Sequence, residues 1–420
     1  MSTIELPLIS VQTDWDQVVQ EAVSDKVSDS FFWIACYLAG KPSVQGQVEV
    51  IKKDNGEYEL EGKNGFTVSS LGSVSSFDVV LHNTDDTKKK RSFKVECSEL
   101  GAKDIIVYGP KDEIILAEKA RPTCVDVSPN GKLFATASGS EVFLGNLSEA
   151  KVQTTLKGHL SDVTTVQFFP SNLVLLTGGA DFQLKIWSVI DGSNPVTLRG
   201  HTSASSRDGT IRLWNCGTAS VIATLGKYQC PVNKIILAKL PSSYQPAAKE
   251  SLDPVEVGTE DKMVIAALGD GSIRGFHLGT KSEIFASPTG PYALTTLVYD
   301  ETLNIIFAGS ENGQITAYSL EKGLEEPVAQ WQRNKFPVTS LAIKLSKNGE
   351  RVLCVASADG ALYETSALSS LKTDSSVRVE IEYTGNELES VNEIKVVPGE
   401  EKEGYQSIVC SVRDGKLKVY

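Results

Sequence analysis

The strongest constraint in this sequence is a seven-residue pattern that recurs from residue 139 onward. The pattern is Asp or Asn, Gly, any residue, apolar, any residue, apolar, aromatic. It is clear at 208–214 (DGTIRLW), 270–276 (DGSIRGF), 312–318 (NGQITAY) and 414–420 (DGKLKVY), with weaker copies at 139–145, 181–187 and 359–365. Asp-Gly and Asn-Gly favour tight turns, and the alternating apolar residues that follow favour a strand. Seven such copies predict a repeated all-β architecture.

The most complete repeat runs from 158 to 187, with the sequence GHLSDVTTVQFFPSNLVLLTGGADFQLKIW. Its Gly-His opening, two apolar runs and final Ile-Trp resemble the WD40 repeat, in which four short strands make one blade of a β-propeller. The resemblance places a structural tetrad of hydrogen-bonded polar groups on His159, Thr177, Asp181 and Trp187. Each group needs a partner because an unpaired buried polar group costs about 1 to 3 kcal/mol. A metal-binding role for His159 is disfavoured, since no second His or Cys lies at metal-ligand spacing.

The predicted fold is all-β. It consists of a seven-bladed WD40 β-propeller over 106–420, preceded by a small N-terminal α+β or β domain over 1–105. The third blade is truncated. His159 and Trp187 are 28 positions apart, whereas the corresponding His201 and Trp214 are only 13 apart, so about 15 residues of the first two strands are missing. Either the protein itself lacks these residues or the gene model omits an in-frame piece.

The last repeat ends at its third strand, which would leave a sheet edge without a partner. The apolar segment 113–118 (EIILAE), just before the first blade, is well placed to supply the outer strand of that blade. We therefore expect this segment to pair with 416–420. Two stretches rich in acidic residues, 240–262 and 398–406, are predicted to be loop insertions.

Residues before 106 lack the repeat. The segment 14–23 (DWDQVVQEAV) has apolar residues at helical spacing, and 54–56 (DNG) joins two alternating runs in a predicted hairpin. The apolar run 31–40 (FFWIACYLAG) is too short to span a membrane, and we predict a buried strand there. Four basic residues at 88–91 are interpreted as a solvated turn, with a nuclear-localisation patch as the less favoured alternative.

Charge and cysteine content narrow the function and the compartment. The chain has 41 Lys and Arg against 53 Asp and Glu, a net charge of −12, which disfavours nucleic acid or an acidic membrane as a partner. Seven scattered cysteines without CxxC spacing predict reduced thiols, and hence a cytoplasmic and nuclear protein. With four His and no P-loop, GxSxG or HExxH motif, we predict no enzymatic activity, no catalytic residue, no metal site and no cofactor.

Several segments outside the blade pattern carry a more specific resemblance. TDWDQ, GKPS and NGFTV near the N-terminus, the complete repeat, SRDGTIRLWNCG and EVGTEDKM together resemble the proteasomal ATPase-associated factor family, WD40-repeat chaperones of 26S proteasome regulatory-particle base assembly. The resemblance covers nearly the whole chain and departs from it in the shortened third blade. It implies a non-enzymatic chaperone that binds the C-terminal domain of a proteasomal ATPase subunit and promotes assembly of the 19S base. We also expect a monomer. The fold alone leaves a generic WD40 scaffold or a ubiquitin-ligase substrate receptor as alternatives.

Partner binding is expected on one face of the propeller, where the loops before the first strand and between the second and third strands of each blade converge. Acidic residues predominate among the charges read from these loops, which favours a basic partner surface. A receptor for phosphorylated peptides would need an Arg cluster, and the loops offer two Arg. The predicted partner-binding residues are Asp162, Arg207, Tyr228, Tyr292, Glu311, Phe336, Glu387, Glu389 and Arg413.

Overall fold

Short strands in small sheets make up most of the described chain. The structure is a computed structural model that describes residues 3–23, 30–53, 58–70, 92–201, 208–241, 244, 256, 258–346, 348–372, 376–386, 389–399 and 406–420. The N-terminal elements are β1 (Ile4–Glu5), β2 (Leu8–Val11), α1 (Trp15–Val23), β3 (Ser30–Tyr37), β4 (Val44–Lys52), β5 (Tyr58–Gly62), β6 (Thr67–Ser70), β7 (Ser92–Cys97), β8 (Ala102–Tyr108) and β9 (Asp112–Ile115). Short 3-10 helices lie at Ser98–Leu100 and Leu368–Lys372.

From Cys124 onward the described strands fall into seven successive antiparallel groups, which we call the first to seventh sheets. The first contains β10 (Cys124–Val127), β11 (Leu133–Ser138), β12 (Glu141–Asn146) and β13 (Lys151–Lys157), and the second β14 (Val163–Phe168), β15 (Val174–Gly179), β16 (Gln183–Ser188) and β17 (Val196–Arg199). The third contains β18 (Thr210–Asn215) and β19 (Ser220–Lys227), and the fourth β20 (Val232–Lys239), β21 (Lys262–Leu268), β22 (Ile273–His277) and β23 (Ser282–Ala286).

The fifth sheet contains β24 (Leu294–Asp300), β25 (Ile305–Ser310), β26 (Gln314–Ser319) and β27 (Ala329–Gln332), and the sixth β28 (Val338–Leu345), β29 (Arg351–Ser357), β30 (Leu362–Thr365) and β31 (Val379–Tyr383). The seventh contains β32 (Val391–Val396), β33 (Ile408–Val412) and β34 (Lys416–Val419). This repetition of small sheets confirms the all-β WD40 propeller class. The closed ring of seven blades stays a prediction, because the third sheet shows two described strands instead of four.

The first strands of neighbouring sheets pack side by side. Contacts run from β20 through β24, β28, β32 and β10 to β14. A belt of hydrogen bonds follows the same path, because a polar residue near the start of each first strand donates to a carbonyl near the start of the next. The donors are Thr123 to Val163 O, Asn233 to Leu294 O, Thr295 to Val338 O, Thr339 to Val391 O and Asn392 to Pro122 O. The belt therefore links the fourth sheet, by way of the fifth, sixth, seventh and first, to the second.

An ion pair joins two first strands that are not neighbours. Lys234 on β20 lies 2.9 Å from Glu393 on β32, and Glu393 also accepts the Val125 N–H of β10. Burial by itself would raise the pKa of Glu393, but Lys234 and Lys395 outweigh it and hold that pKa below its usual value. The fourth, seventh and first sheets are thus connected through the centre of the sheet arrangement.

The seventh sheet is completed from an earlier part of the chain. The segment predicted to supply its outer strand contains β9, which pairs antiparallel with β34 and places Ile114 opposite Leu417. Both side chains are fully buried and pack with Val125 and Phe134 of the first sheet. This pairing leaves the third strand of the seventh sheet with a partner on both sides.

The N-terminal segment is joined to the repeat sheets by several strands. β1 pairs in parallel with β27, and β8 pairs in parallel with β31, so that β8, β7 and β6 extend the sixth sheet. β8 crosses the boundary predicted at residue 105, and that boundary stays a prediction. β2, β3, β4 and β5 form a separate sheet covered on one side by α1, whose Trp15 Nε1–H donates to Thr384 Oγ1 at 2.9 Å.

One expectation for the N-terminal segment holds in part. The run 31–40 contains the predicted strand, β3, but only half of its residues are buried. Phe32 and Ile34 point into the core, whereas Phe31, Trp33 and Tyr37 are exposed, because successive side chains of a strand point to opposite faces of the sheet. The predicted turn at 54–56 and the basic residues at 88–91 lie outside the described residues. In the part of the chain that is described, no helix combines the length and apolar character needed to cross a membrane.

Candidate protein-docking face

Two kinds of loop meet at one end of the sheets, and we call the surface that they form the docking face. They are the loops before each first strand and the turns between second and third strands. In five of these turns the second residue is Gly with positive φ, as at Gly271 (φ 79°), and the turn packs tightly against the loop. A Cβ there would lie 2.7 Å from the Tyr292 carbonyl oxygen. The Asp-Gly or Asn-Gly pattern therefore allows the close approach that joins one loop to the next.

The polar tetrad of the second sheet supports this face from below. His159 Nδ1 lies 2.9 Å from Asp181 Oδ2, His159 Nε2 lies 2.7 Å from Thr177 Oγ1, and Trp187 Nε1–H donates to the same hydroxyl at 2.8 Å. Asp181 also accepts the Leu160 N–H, which fixes the loop before β14. The four side chains predicted from the sequence thus form one chain of hydrogen bonds.

Burial sets the protonation of this tetrad. Desolvation lowers the pKa of His159, and the attraction of Asp181 opposes this shift without cancelling it. For Asp181, burial acts to raise the pKa, but the Leu160 N–H and His159 together hold it below the usual value. At neutral pH the tetrad therefore contains a neutral imidazole beside a carboxylate, which is an arrangement for structural support.

The third sheet has only part of this tetrad. His201 Nδ1 lies 3.1 Å from Asp208 Oδ2, as in the second sheet. Trp214 Nε1 is buried and has no hydrogen-bond partner in the described part of the chain. The strand that supplies Thr177 in the second sheet has no described counterpart here, so the indole N–H lacks its acceptor.

Three of the predicted partner-binding residues lie together, and we call them the fifth-sheet patch: Tyr292, Glu311 and Phe336. The side chain of Glu311 accepts the N–H of Ala293, next to Tyr292, at 3.2 Å. A Cβ on Gly313 would lie 2.8 Å from the carbonyl oxygen of Phe336. The aromatic side chains are 45% and 53% exposed, and Glu311 is exposed between them. Such a surface offers apolar anchors beside a negative charge.

The other predicted residues are more dispersed. Glu389 and Arg413 are exposed and adjacent, because the Arg413 N–H donates to Ser390 O. Asp162 is exposed on the loop before β14. Tyr228 is half-buried, its hydroxyl donates to Glu283 at 3.2 Å, and its ring lies under Arg274, so it mainly packs the third sheet against the fourth. Arg207 and Glu387 lie outside the described residues.

The sequence analysis missed two apolar residues on this face. Leu160 is highly exposed, and Phe182 is exposed in a left-handed conformation with φ of 64°. A bulky residue rarely adopts this conformation, and five of the six other turns have Gly in the same place. With Asp162 these residues form a second cluster, the second-sheet patch. The signal was present in the sequence as Phe182 at the Gly position of the repeat.

The excess of acid on the docking face is smaller in the described residues than the sequence predicts. Asp181 and Asp208 are turned inward, with side chains only 4% and 5% exposed. Three further exposed basic residues lie in the loops before first strands, Lys119, Arg121 and Lys335, with the exposed Glu118 beside the first of them. Because these are interspersed with Glu311, Glu389 and the other exposed acids, the described face carries both signs of charge.

The repeated small sheets and the polar tetrad define an all-β fold of the WD40-propeller class. The family model described as WD domain, G-beta repeat matches residues 150–188, which contain β13 and the first three strands of the second sheet. Among relatives, a Dictyostelium discoideum protein named probable proteasomal ATPase-associated factor 1 is 27% identical over 393 residues, 85% of this chain and 86% of that protein.

Two further relatives match over shorter stretches. The Saccharomyces cerevisiae protein named 26S proteasome regulatory subunit RPN14 is 32% identical over 200 residues, 43% of this chain and 48% of that protein, so the match spans about half of the yeast protein. The human protein named proteasomal ATPase-associated factor 1 is 28% identical over 168 residues, 39% of this chain and 36% of that protein. The chain is a homologue of proteins with these names, and the resemblance predicted from the sequence is confirmed.

Proposed function

We propose that this protein is a non-enzymatic assembly chaperone that binds the C-terminal domain of a proteasomal ATPase subunit and promotes assembly of the 19S regulatory-particle base. The observation that carries the proposal is the similarity to the Dictyostelium discoideum relative over 85% of this chain. That relative is named for association with a proteasomal ATPase. The docking face supports the proposal because it combines exposed aromatic side chains with charged residues, as protein-binding surfaces do.

The fifth-sheet patch is the proposed centre of binding. Large aromatic residues at the middle of an interface contribute most of the binding free energy when they enter pockets on the partner. Phe336 and Tyr292 have the exposure needed for such contacts, and Glu311 between them would orient a basic residue of the ATPase domain. Glu389, beside Arg413, lies on the seventh-sheet side of the face and would act on association rate and register.

This proposal can be tested by biolayer interferometry. The affinity of the protein for each purified C-terminal ATPase domain is measured separately. Phe336→Ala is expected to weaken binding to one of the domains at least tenfold, since truncation of a central aromatic anchor typically costs about 2 kcal/mol. The matched control is Ile190→Ala, because Ile190 is also exposed but lies in the loop after β16, at the opposite end of the sheet. Equal affinities for Phe336→Ala and the unaltered protein would rule out this patch as the binding centre.

Charge reversal tests the proposed contribution of Glu389 to the association rate. Glu389→Lys is expected to slow association and to flatten its dependence on salt, because exposed charges mainly steer the encounter. Glu326→Lys makes the same change in an exposed loop between β26 and β27, outside the docking face, and is expected to leave association unchanged. Identical rates for both variants would contradict the assignment of Glu389.

Identification of co-purifying proteins by mass spectrometry tests the function as a whole. Free ATPase subunits and base assembly intermediates are expected. Recovery of ubiquitin-ligase subunits in their place would favour the substrate-receptor alternative. We further propose a monomer located in the cytoplasm and nucleus, which is supported by seven cysteines that are all free thiols, five of them buried.

A further inference from the structure

The third sheet leaves one strand edge without a described partner. β18 pairs with β19 on one side, and its other edge has no neighbouring strand among the residues that the structure describes. In the second sheet the corresponding edge of β16 is covered by β15, and β15 by β14. An edge of this kind can accept a further strand through its backbone N–H and C=O groups.

The chain between the second and third sheets is too short to fill this position. In the second sheet, Val163–Gly179, 17 residues, make the first two strands and their turn. Only six residues, 202–207, separate His201 from Asp208, and His201 Nδ1 lies 3.1 Å from the Asp208 carboxylate. Six residues cannot supply two strands of about five residues and a turn. The short connection between His201 and Asp208 therefore cannot supply the missing pair of strands, and a strand pair from outside this connection would have to fill the position.

One wall of the position, formed by β20, is apolar where a strand pair would pack. Ile235 and Leu237 of β20 are 39% and 62% exposed. They pair with Ala266 and Val264, and those two residues pack with Ile211 of the third sheet, so all four side chains face the third sheet. In β24, the first strand of the fifth sheet, five of seven residues are buried and none is exposed. We call this space, bounded by the β18 edge and the apolar face of β20, the third-sheet cleft.

The unpaired indole N–H of Trp214 indicates which kind of segment would fit the cleft. Trp214 Nε1 is buried without a partner in the described chain, whereas the equivalent Trp187 Nε1–H donates to Thr177 Oγ1 of β15. A buried donor without an acceptor costs free energy, and a hydroxyl at the position equivalent to Thr177 would remove that cost. The complementary segment is therefore an extended strand with apolar residues on alternate positions and one Ser or Thr facing the indole.

We infer that the third-sheet cleft binds a β-hairpin of a partner protein by strand addition to β18, with a Ser or Thr hydroxyl of the hairpin accepting the hydrogen bond from Trp214 Nε1. The hairpin would restore the missing strands of the third sheet. Its alternate apolar side chains would cover Ile235 and Leu237. This surface is separate from the docking face, so the inference does not depend on the proposed function.

The second sheet provides a probe of defined sequence. We propose titrating the full-length protein with a synthetic peptide of Val163–Gly179 (VTTVQFFPSNLVLLTGG), the hairpin that fills the equivalent position. In the ¹⁵N-indole spectrum of the five Trp residues, the resonance assigned by Trp214→Phe is expected to shift and to exchange more slowly with solvent on binding. The same peptide carrying Thr177→Val keeps its shape but lacks the hydroxyl, and is expected to bind about fivefold to tenfold more weakly.

Variants of the protein distinguish specific peptide binding in the third-sheet cleft from nonspecific binding elsewhere. Leu237→Asp is expected to weaken peptide binding at least tenfold without affecting folding, because Leu237 is largely exposed in the free protein. Ile190→Asp places the same change on an exposed apolar residue away from the cleft and is expected to have no effect. In Trp214→Phe, the Thr and Val peptides are expected to bind equally.

Three results would overturn the inference. The first is the absence of peptide binding. The second is equal affinity of the Thr and Val peptides for the unaltered protein, which would mean that Trp214 does not select a hydroxyl. The third is a dimer of the protein without peptide, measured by light scattering and abolished by Leu237→Asp, which would make a second copy the occupant. None of these outcomes bears on capture of an ATPase domain by the docking face, so the two proposals can fail separately.

Discussion

The Thr177 hydroxyl offers the sharpest test of how the second sheet is stabilised. Thr177→Val keeps the shape of the side chain but removes the oxygen that is bonded to His159 Nε2 at 2.7 Å and to Trp187 Nε1 at 2.8 Å. Both partners are buried, so the variant leaves two polar groups without a partner. Each unpaired polar group lowers the free energy of unfolding by about 1 to 3 kcal/mol. Part of this loss is offset because the variant no longer has to remove water from the threonine hydroxyl on folding. We expect a net loss of about 2 to 4 kcal/mol in the free energy of unfolding.

Urea unfolding, followed by tryptophan fluorescence and far-UV circular dichroism, measures this loss as a lower midpoint at unchanged slope. The third sheet provides an internal control. Trp187→Phe removes an indole N–H that has an acceptor, whereas Trp214→Phe removes one that has none among the described residues. Trp187→Phe is therefore expected to lower stability more, by about 1 to 2 kcal/mol. An unchanged midpoint for Thr177→Val, or equal losses for the two Trp variants, would refute the reasoning.

Two further predictions concern pH and the pairing of β9 with β34. Because burial lowers the pKa of His159 below its value in the unfolded chain, the unfolded state binds the proton more tightly, and the melting temperature is expected to fall as the pH decreases through about 6.5. His159→Gln should flatten this dependence, and a slope identical to that of the unaltered protein would contradict it. Ile114→Asp, at a fully buried position opposite Leu417, is expected to cost about 3 kcal/mol or more, whereas the same change at the neighbouring Ile115, which is 70% exposed, should cost less than about 0.5 kcal/mol in urea unfolding. Equal losses at the two positions would show that β9 does not pack as described.

Features that lie within a single repeat could be predicted from the sequence. His159, Thr177, Asp181 and Trp187 lie within 29 residues of one another in the sequence, and the repeat fixes their relative positions, so their hydrogen bonds could be placed before the structure was known. The seventh sheet was likewise interpretable, since a repeat that ends at its third strand requires another strand at its edge. The tetrad was predicted from the resemblance to the WD40 repeat, and the strand pairing from the rule that strand edges are paired.

Long-range pairings could not be obtained in the same way. β1 joins β27 and β8 joins β31 across separations of hundreds of residues, and short polar strands such as Ile4–Glu5 carry no signal for their partner. The docking face shows a second limit, because the sequence shows which charges lie in loops but not which of them turn inward. Asp181 and Asp208 form hydrogen bonds with His159 and His201, and their side chains are therefore turned inward. The charges that remain exposed on the docking face are both acidic and basic.

The ion pair between Lys234 and Glu393 has a consequence for any partner of the docking face. It ties the fourth sheet to the seventh across the space between the six first strands that the structure describes. A partner that inserted a long side chain down the propeller axis would have to displace a lysine from a carboxylate that is also held by Lys395 and by the Val125 N–H. The ion pair thus opposes insertion along this axis, and we expect a partner of the docking face to present a broad, shallow surface to the loops rather than a pointed one.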